Sequence, residues 1–159
     1  PFNAVGPGAH ADGDAGEVIP RWINRCLRGE PLGVHGDGLQ SRDFTWAGDL
    51  ADGIVRAAEC DALVGTGPLH LASGRAVTML ELADVVRAAV VTVRWPWGPS
   101  WVEHTQARPG DLRRQRGCAA KAACLLGWSP TVTLEDAVAR TVAWWRERGV
   151  GETPGRTWE

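Results

Sequence analysis

The sequence predicts an α/β fold, a mixed α+β lobe of about four helices with several short strands. Apolar residues recur at helical spacing in several separate segments, and the first of these comprises Ile19, Trp22, Ile23, Cys26 and Leu27. Short apolar or alternating runs lie between these segments, as expected for strands. Glycine and proline residues occur between these runs and favour turns, so the pattern indicates many short elements and not a few long ones.

Length and composition bound the classes of protein to which the chain can belong. Its 159 residues suffice for one domain, which we assign to residues 1–149, with a frayed tail at 150–159. No apolar run approaches the roughly 20 residues of a membrane helix, so we expect no membrane insertion. The net charge of −2 argues against nucleic-acid binding. The start at Pro1 has no signal-peptide pattern and looks like the middle of a larger protein.

The cysteines indicate a reducing, cytoplasmic location. Cys26, Cys60, Cys118 and Cys124 form no Cys-x-x-Cys pair and no spacing with histidine that suits zinc, so we predict no metal site. Three of the four lie in helical patterns that would bury them. We therefore expect reduced, structural thiols.

Residues 29–50 hold the most informative stretch of the chain. Gly29 stops the first helix, and residues 32–35 read as a short strand. Glycines at 36 and 38 indicate a hairpin turn into a second strand at 41–46. Along that strand Arg42, Phe44 and Trp46 share one face. Arg42 would therefore stand beside two aromatic rings, a suitable place to hold an anion.

The elements after this stretch follow from local signals. Asp49 is expected to cap a helix whose inward positions are Leu50, Ile54, Ala57 and Ala58. Residues 69–72 and 92–94 are predicted strands. Thr78-x-x-Glu81 is a capping box that opens a helix ending near residue 90. Further helices are predicted over residues 121–126 and from a Thr133 cap to Gly149.

Residues 95–101 contain three tryptophans, with prolines and a glycine between them, and cannot form a helix. If exposed, the rings would form a stacking platform for a sugar or a partner protein. If buried, they pack beneath a loop or against a further domain. The residues leave these alternatives open.

The order of motifs resembles the substrate-binding half of the extended short-chain dehydrogenases, the NAD-dependent nucleotide-sugar epimerases and dehydratases. The matching residues run Gly-Glu-Pro-Leu, then Gly-Asp-Gly-x-Gln-x-Arg-Asp-Phe-Thr-Trp, then a helix that opens on Asp49. Arg108-Pro109-Gly110-Asp111 and a Leu-Gly-Trp-x-Pro before the last helix extend the resemblance to about residues 1–149. Two positions depart from the family pattern, since Val5 replaces a tyrosine and Cys118 an aspartate.

The resemblance implies a set of substrate-binding residues. Asn3, Arg42 and Arg108 would contact the diphosphate, and Asp111 the ribose. Val18 and Ile19 would close over the nucleotide base. From the residues alone, Asn3 could equally be a loop asparagine that bonds its own backbone. The segment around Arg108 could likewise be a solvated basic loop.

The family's chemistry requires residues that this sequence does not contain. The resemblance implies a catalytic Tyr-x-x-x-Lys pair, yet the chain has no tyrosine and only one lysine, Lys121. The glycines near residue 36 follow no long apolar strand, so no dinucleotide-binding loop is predicted. His10, His35, His70 and His104 are scattered, and we expect them on the surface or in loops. We assign no catalytic residue, expect the chain alone to be inactive and to bind no cofactor, and take NAD as implied for the full-length enzyme.

Three interpretations follow. In the first, the chain is the substrate-binding part of a UDP- or TDP-sugar isomerase or lyase, whose partner is a Rossmann-fold half. In the second, it is a non-catalytic module that binds a sugar nucleotide or a glycan. In the third, it is a truncated remnant that acts through self-association, as a dimer or other homo-oligomer.

Overall fold

The computed structural model describes residues 1–10, 17–90 and 101–148. The helices are α1 (Val18–Arg28), α2 (Ala47–Ala58), α3 (Met79–Val90), α4 (Ala120–Leu126) and α5 (Leu134–Arg148). The strands are β1 (Ala4–Val5), β2 (Leu32–His35), β3 (Ser41–Asp43), β4 (Thr45–Trp46), β5 (Ala76–Thr78) and β6 (Val102–Thr105). The mixed α/β class is confirmed, with five α-helices in the described part. The strand predicted at 92–94, the tryptophan-rich segment up to residue 100 and the tail at 150–159 lie outside the described residues.

The strands pair as three separate two-stranded sheets within the described ranges. β1 pairs with β4 and β2 with β6, both in parallel, while β3 and β5 are antiparallel. The predicted hairpin between β2 and β3 is therefore wrong. Side chains occupy the free edge of β2 instead: Trp22 Nε1 donates to Gly33 O at 3.3 Å, and Gln40 Nε2 donates to His35 O at 2.8 Å.

The strand predicted at 41–46 is interrupted at Phe44. The residues before the interruption pair with β5 and those after it pair with β1, so the chain passes from one sheet to another within one residue. Asp43, Phe44 and Thr45 are all buried. Both faces of the segment are therefore covered.

The main core lies between three helices and the strands beside them. α1, α3 and α5 pack against one another, and Ile23, Leu82, Val138 and Trp145 are fully buried among them. A smaller cluster under α2 and α4 consists of Leu50, Leu71, Ala122 and Trp128.

Several predicted helix signals are confirmed. α1 ends at Gly29, which adopts the left-handed conformation with φ of 69°. The capping box at the start of α3 is formed, because the Thr78 N–H donates to Glu81 Oε2 at 2.7 Å and the Glu81 N–H donates to Thr78 Oγ1 at 3.1 Å. Thr133 caps α5 by accepting from the Asp136 N–H at 3.1 Å.

The predicted cap of α2 is wrong, and of its predicted inward positions Leu50 is buried whereas Ile54 and Ala58 are exposed. The helix begins at Ala47, which places Asp49 inside its first turn. The Asp49 carboxylate instead accepts hydrogen bonds from the Thr131 N–H at 2.9 Å and the Val132 N–H at 3.0 Å. Ile54 is 53% exposed, because the inward position after Leu50 is taken by Gly53. A Cβ at Gly53 would lie 2.8 Å from Leu71 and 2.9 Å from the Trp128 ring.

Two further expectations fail for reasons of long-range packing. Residues 69–72 form no strand and make one backbone bond there, from Phe2 N–H to Leu71 O at 2.9 Å, while β5 and β6 were not predicted. Of the cysteines, only Cys26 is buried; Cys60 lies beyond the end of α2 and is half-buried, and Cys118 and Cys124 are exposed. None of the described helices has the length and apolar character needed to span a membrane.

Candidate functional site

A cleft of about 250 Å³ brings together five of the six predicted substrate-binding residues. We call it the arginine cleft. Asn3, Val18, Arg42, Arg108 and Asp111 line it, together with Arg21, Trp22, Gly33, Val34, His35, Gln40, Phe44 and Met79. These residues come from five separate parts of the sequence, so the cleft exists only in the folded chain.

The loop between β6 and α4 carries Arg108 and Asp111, and β3 holds that loop in place. The Ser41 N–H donates to Arg113 O at 3.0 Å, and the Gln115 N–H donates to Ser41 O at 3.0 Å. The loop therefore lies beside β3 like a further strand and sets Asp111 next to Arg42.

The Arg42 guanidinium is largely engaged by the protein itself. Its Nη1 donates to Ser41 O at 2.8 Å and to Leu112 O at 2.6 Å, and its Nη2 forms an ion pair with Asp111. Three of its five N–H donors are thus used. Of the two aromatic rings predicted beside Arg42, Phe44 lines the same cleft, whereas Trp46 does not and lies under the Arg140 guanidinium. Arg42 is also not an open anion-binding group. A ligand would have to share it with Asp111.

Arg108 has the opposite character. It is exposed at the cleft, and its side chain forms no hydrogen bond or ion pair with any residue that the structure describes. All its N–H donors remain for a ligand, in the planar geometry that binds phosphate or carboxylate through two parallel bonds. Arg108 is therefore a cation that the cleft offers to an anion.

Asn3 bridges two segments far away in sequence. Its Nδ2 donates to Asp43 O at 2.6 Å and to Gln115 Oε1 at 3.0 Å. A backbone carbonyl can only accept, so the amide nitrogen must face Asp43, which fixes the orientation of the Asn3 side chain. The residue is therefore not a loop asparagine bonded to its own backbone, and the polar atom that it has left for a ligand is Oδ1.

A second cleft, of about 360 Å³, adjoins the first and holds the sixth predicted residue, Ile19. We call it the Glu17 cleft. It is lined by Asn3, Ala4, Glu17, Val18, Ile19 and Phe44, three of which also line the arginine cleft. Burial raises the pKa of Glu17 above its usual value, and the nearby charge of His10 opposes that shift.

Asp43 is the structural centre beneath the site, and sequence reasoning missed it. Its carboxylate is fully buried and accepts four hydrogen bonds, from Ser73 N–H (3.0 Å), Ser73 Oγ (2.6 Å), Gly74 N–H (3.0 Å) and Gly117 N–H (3.0 Å). Three backbone N–H groups and one hydroxyl, and no cation in the described part of the chain, thus satisfy this carboxylate. An aspartate within a strand, where this residue type is disfavoured, was the signal available in the sequence.

Gln40 and His35 were also missed. Gln40 is buried, lines the arginine cleft and donates to His35 O, so it holds the end of β2 at the wall of the cleft. His35 and His104, which are scattered in sequence, lie on the paired strands β2 and β6. His104 Nδ1 is 2.7 Å from Gly36 O, and His35 Nδ1 is 2.9 Å from Thr105 Oγ1.

The arrangement of the described residues also bears on whether the chain could bind a metal ion or a dinucleotide. No group of three or more His, Cys, Asp or Glu side chains suited to a metal occurs in the described ranges. The turn containing Gly36 and Gly38 leads from β2 into β3 and not into a helix. It therefore lacks the helix N-terminus against which a dinucleotide pyrophosphate binds, and these residues do not fit NAD.

Comparison with known proteins places the chain beside enzymes of one family. Residues 1–67 match the family model described as NAD dependent epimerase/dehydratase family. UDP-glucuronic acid decarboxylase 1 of Arabidopsis thaliana is 31% identical over 156 residues, which is 98% of this chain and 33% of that protein. The chain thus spans about a third of the length of this curated relative.

Solved structures agree with the sequence match. The UDP-glucose 4-epimerase of Thermotoga maritima, determined with UDP-glucose, superposes with a TM-score of 0.80 at 27% identity, over 92% of this chain and 44% of that one. An epimerase from Methanothermobacter thermautotrophicus superposes with a TM-score of 0.83 at 26% identity, over 92% of this chain and 42% of that one.

Proposed function

Since the chain is related to the NAD-dependent epimerase/dehydratase family over one part of its members' length, we propose that it is the part that binds the nucleotide-sugar substrate. The ligand is a UDP- or TDP-sugar. Catalysis and NAD binding would belong to the remainder of such an enzyme. The similar epimerase determined with UDP-glucose supports the ligand class.

One observation carries the proposal: a guanidinium with all its donors available, Arg108, lines the same cleft as the Arg42–Asp111 pair. A diphosphate would bind Arg108 through two parallel charge-assisted bonds and would share Arg42 with its resident carboxylate. Asp111, released in part from Arg42, would accept the paired hydroxyls of the ribose. Val18 and Ile19 would supply an apolar contact for the base.

The catalytic steps of the family are not assigned to this chain. Its sequence contains no tyrosine, so the tyrosine–lysine pair that the family resemblance implies cannot form within it. In a full enzyme NAD would accept a hydride from a sugar carbon, and this chain's residues would bind and orient the nucleotide. We expect the isolated chain to be inactive as an epimerase (isomerase), dehydratase or decarboxylase (lyase).

The proposed partner is a Rossmann-fold half, in the same or another chain. β1 and β4 form a parallel ladder of two residues each, although parallel sheets normally have several strands and are covered on both faces. Ile54 and Val55 of α2 are also more than half exposed. Docking of a larger parallel sheet would extend the ladder and could cover these side chains. The four free cysteines suit the cytoplasm, where we propose that the protein acts.

Self-association and a purely non-catalytic binding role remain the alternatives. The exposed apolar side chains on α2 favour the first, because a second copy could cover them instead. Sedimentation analysis of the purified chain distinguishes a monomer from a dimer. A monomer that binds the sugar nucleotide supports the main proposal.

Calorimetric titration with UDP, UDP-glucose and TDP-glucose tests the proposed function. We expect binding by the native chain and at least about a tenfold loss in Arg108→Ala, since charge-assisted hydrogen bonds contribute about 1.5–3 kcal/mol. Arg114→Ala is the matched control, because Arg114 is exposed in the same loop and lines neither cleft. No binding by a folded chain would refute the proposal. Equal losses in the two variants would show that the attraction is only a general effect of positive charge.

A further inference from the structure

We propose that the Glu17 cleft receives the sugar and selects a neutral, hydroxyl-rich sugar over a uronic acid. This inference rests on the proposed function and names the class of sugar. The names of the relatives do not suggest this preference, because the decarboxylase described above acts, by its name, on a glucuronic acid nucleotide.

The position of the cleft suits a group attached to the diphosphate. Asn3, Val18 and Phe44 line both clefts, so a ligand whose phosphates lie at Arg108 can continue past Asn3 into the second space. That space, about 360 Å³, is larger than the arginine cleft. The floor at Phe44 and the wall at Ile19 are apolar, as suits the carbon face of a sugar ring.

The polar groups lining this cleft are hydrogen-bond acceptors. Asn3 has both amide hydrogens engaged, by Asp43 O and Gln115 Oε1, so it can meet a ligand only through Oδ1. Gln115 is thus a positioning residue, because its oxygen holds the second of those hydrogens. Glu17 contributes a carboxylate, which accepts when ionised. Sugar hydroxyls can donate to both groups.

No arginine, lysine or histidine lines the Glu17 cleft in the part of the chain that the structure describes. The charge of His10 acts on Glu17, and the His10 backbone carbonyl accepts from the Glu17 N–H at 2.7 Å. A sugar carboxylate would therefore meet a carboxylate of the same charge, with no guanidinium or ammonium group at the wall to compensate.

The test compares UDP-glucose with UDP-glucuronic acid by calorimetry, in the native chain and in Glu17→Gln. We expect the native chain to bind UDP-glucose at least about tenfold more tightly than UDP-glucuronic acid. Glu17→Gln should reduce that ratio severalfold by strengthening the binding of the uronic acid, because the repulsion is removed while a polar side chain remains.

Glu59→Gln is the matched control, since Glu59 is exposed at the end of α2 and lines neither cleft. It removes the same charge and should leave the ratio unchanged. This inference would be overturned if the native chain bound the two sugar nucleotides equally, or if Glu17→Gln left the ratio of affinities unchanged. In either case, binding of UDP by the native chain would still support the proposed function. Failure of the native chain to bind UDP itself would overturn both.

Discussion

The Arg42 guanidinium and the Asp111 carboxylate form an ion pair across 69 positions of the sequence. Their side chains are 17% and 31% exposed, so the pair is partly shielded from water. Both residues were assigned to the same ligand, yet in this structure they bind each other. A bound diphosphate must therefore compete with Asp111 for Arg42, whereas no side chain among the described residues competes for Arg108.

Arg42→Ala and Arg108→Ala should separate stability from binding. Arg42→Ala removes three internal hydrogen bonds and should lower the free energy of unfolding by about 1–3 kcal/mol. Arg108→Ala should leave unfolding within about 0.5 kcal/mol of the native value while weakening UDP binding. Urea unfolding followed by tryptophan fluorescence, alongside calorimetry, measures both quantities. Equal destabilisation by the two variants would contradict the division of roles.

Asp43→Ala should be strongly destabilising. It leaves the N–H groups of Ser73 and Gly74, which are partly buried, and of Gly117, which is buried, without their acceptor. We expect a loss of about 3–5 kcal/mol in the free energy of unfolding. Ser73→Ala removes only the hydroxyl donor and should cost about 1 kcal/mol. Chemical denaturation of both variants provides the measurement. A similar small loss in each would show that Asp43 is not the structural centre proposed here.

The ion pair between Asp37 and Arg113 on the surface should lower the pKa of the Asp37 carboxyl measurably. The hydrogen bond from Arg113, at 2.6 Å, and that from the Leu39 N–H hold the pKa of Asp37 at about 2, below the ordinary 3.8. Because the folded-state pKa is depressed, the contribution of Asp37 to stability is present above pH 3.8 and is lost as the pH falls through about 2.

In Arg113→Ala the pKa of Asp37 should rise toward 3.8 but stay below it, since the Leu39 N–H remains. Carboxyl-carbon NMR titration of the native chain and the variant measures the change. An unchanged pKa would mean that Arg113 does not hold the carboxylate in solution.

Gly117→Ala should destabilise the fold through steric overlap. An added Cβ would lie 2.2 Å from Ala72 Cβ and 3.1 Å from the Phe2 ring, closer than carbon atoms approach. We expect a loss of more than about 2 kcal/mol in the free energy of unfolding. Gly33→Ala is the control, because its nearest contact beyond its chain neighbours would be the tip of Arg25 at 3.9 Å. Thermal unfolding of the two variants measures the difference in stability. Similar melting temperatures for Gly117→Ala and Gly33→Ala would contradict this expectation.

Elements with a local signature were predictable, and those that depend on distant partners were not. Gly29 and the Thr78–Glu81 capping box act within a few residues of themselves, and both are confirmed. Asp49 carried a capping signal, but its carboxylate bonds residues 131 and 132 instead. No window around Asp49 contains those partners, so no local pattern could have indicated them.

The candidate site shows the same division. The resemblance between motifs singled out Asn3, Val18, Ile19, Arg42, Arg108 and Asp111 as substrate-binding residues, and the structure gathers them at two adjoining clefts. Their roles in binding remain predictions. The sequence analysis did not single out four residues at or beneath the clefts: Glu17, Gln40, Asp43 and Gln115. Their roles depend on which hydrogen-bond donors and acceptors they contact in the folded chain, and no local pattern shows those contacts.

By itself the sequence determined the class of fold, most helix boundaries and the absence of tyrosine, since composition, periodicity and capping act over a few residues. Only the tertiary structure decided which strands pair, that Arg42 is held by Asp111 while Arg108 is not, and that Asn3 presents an oxygen. The physical reason is that hydrogen bonds and ion pairs are satisfied in space. The partner that uses up a donor lies 40 residues away for Asn3 and Asp43, and 69 for Arg42 and Asp111.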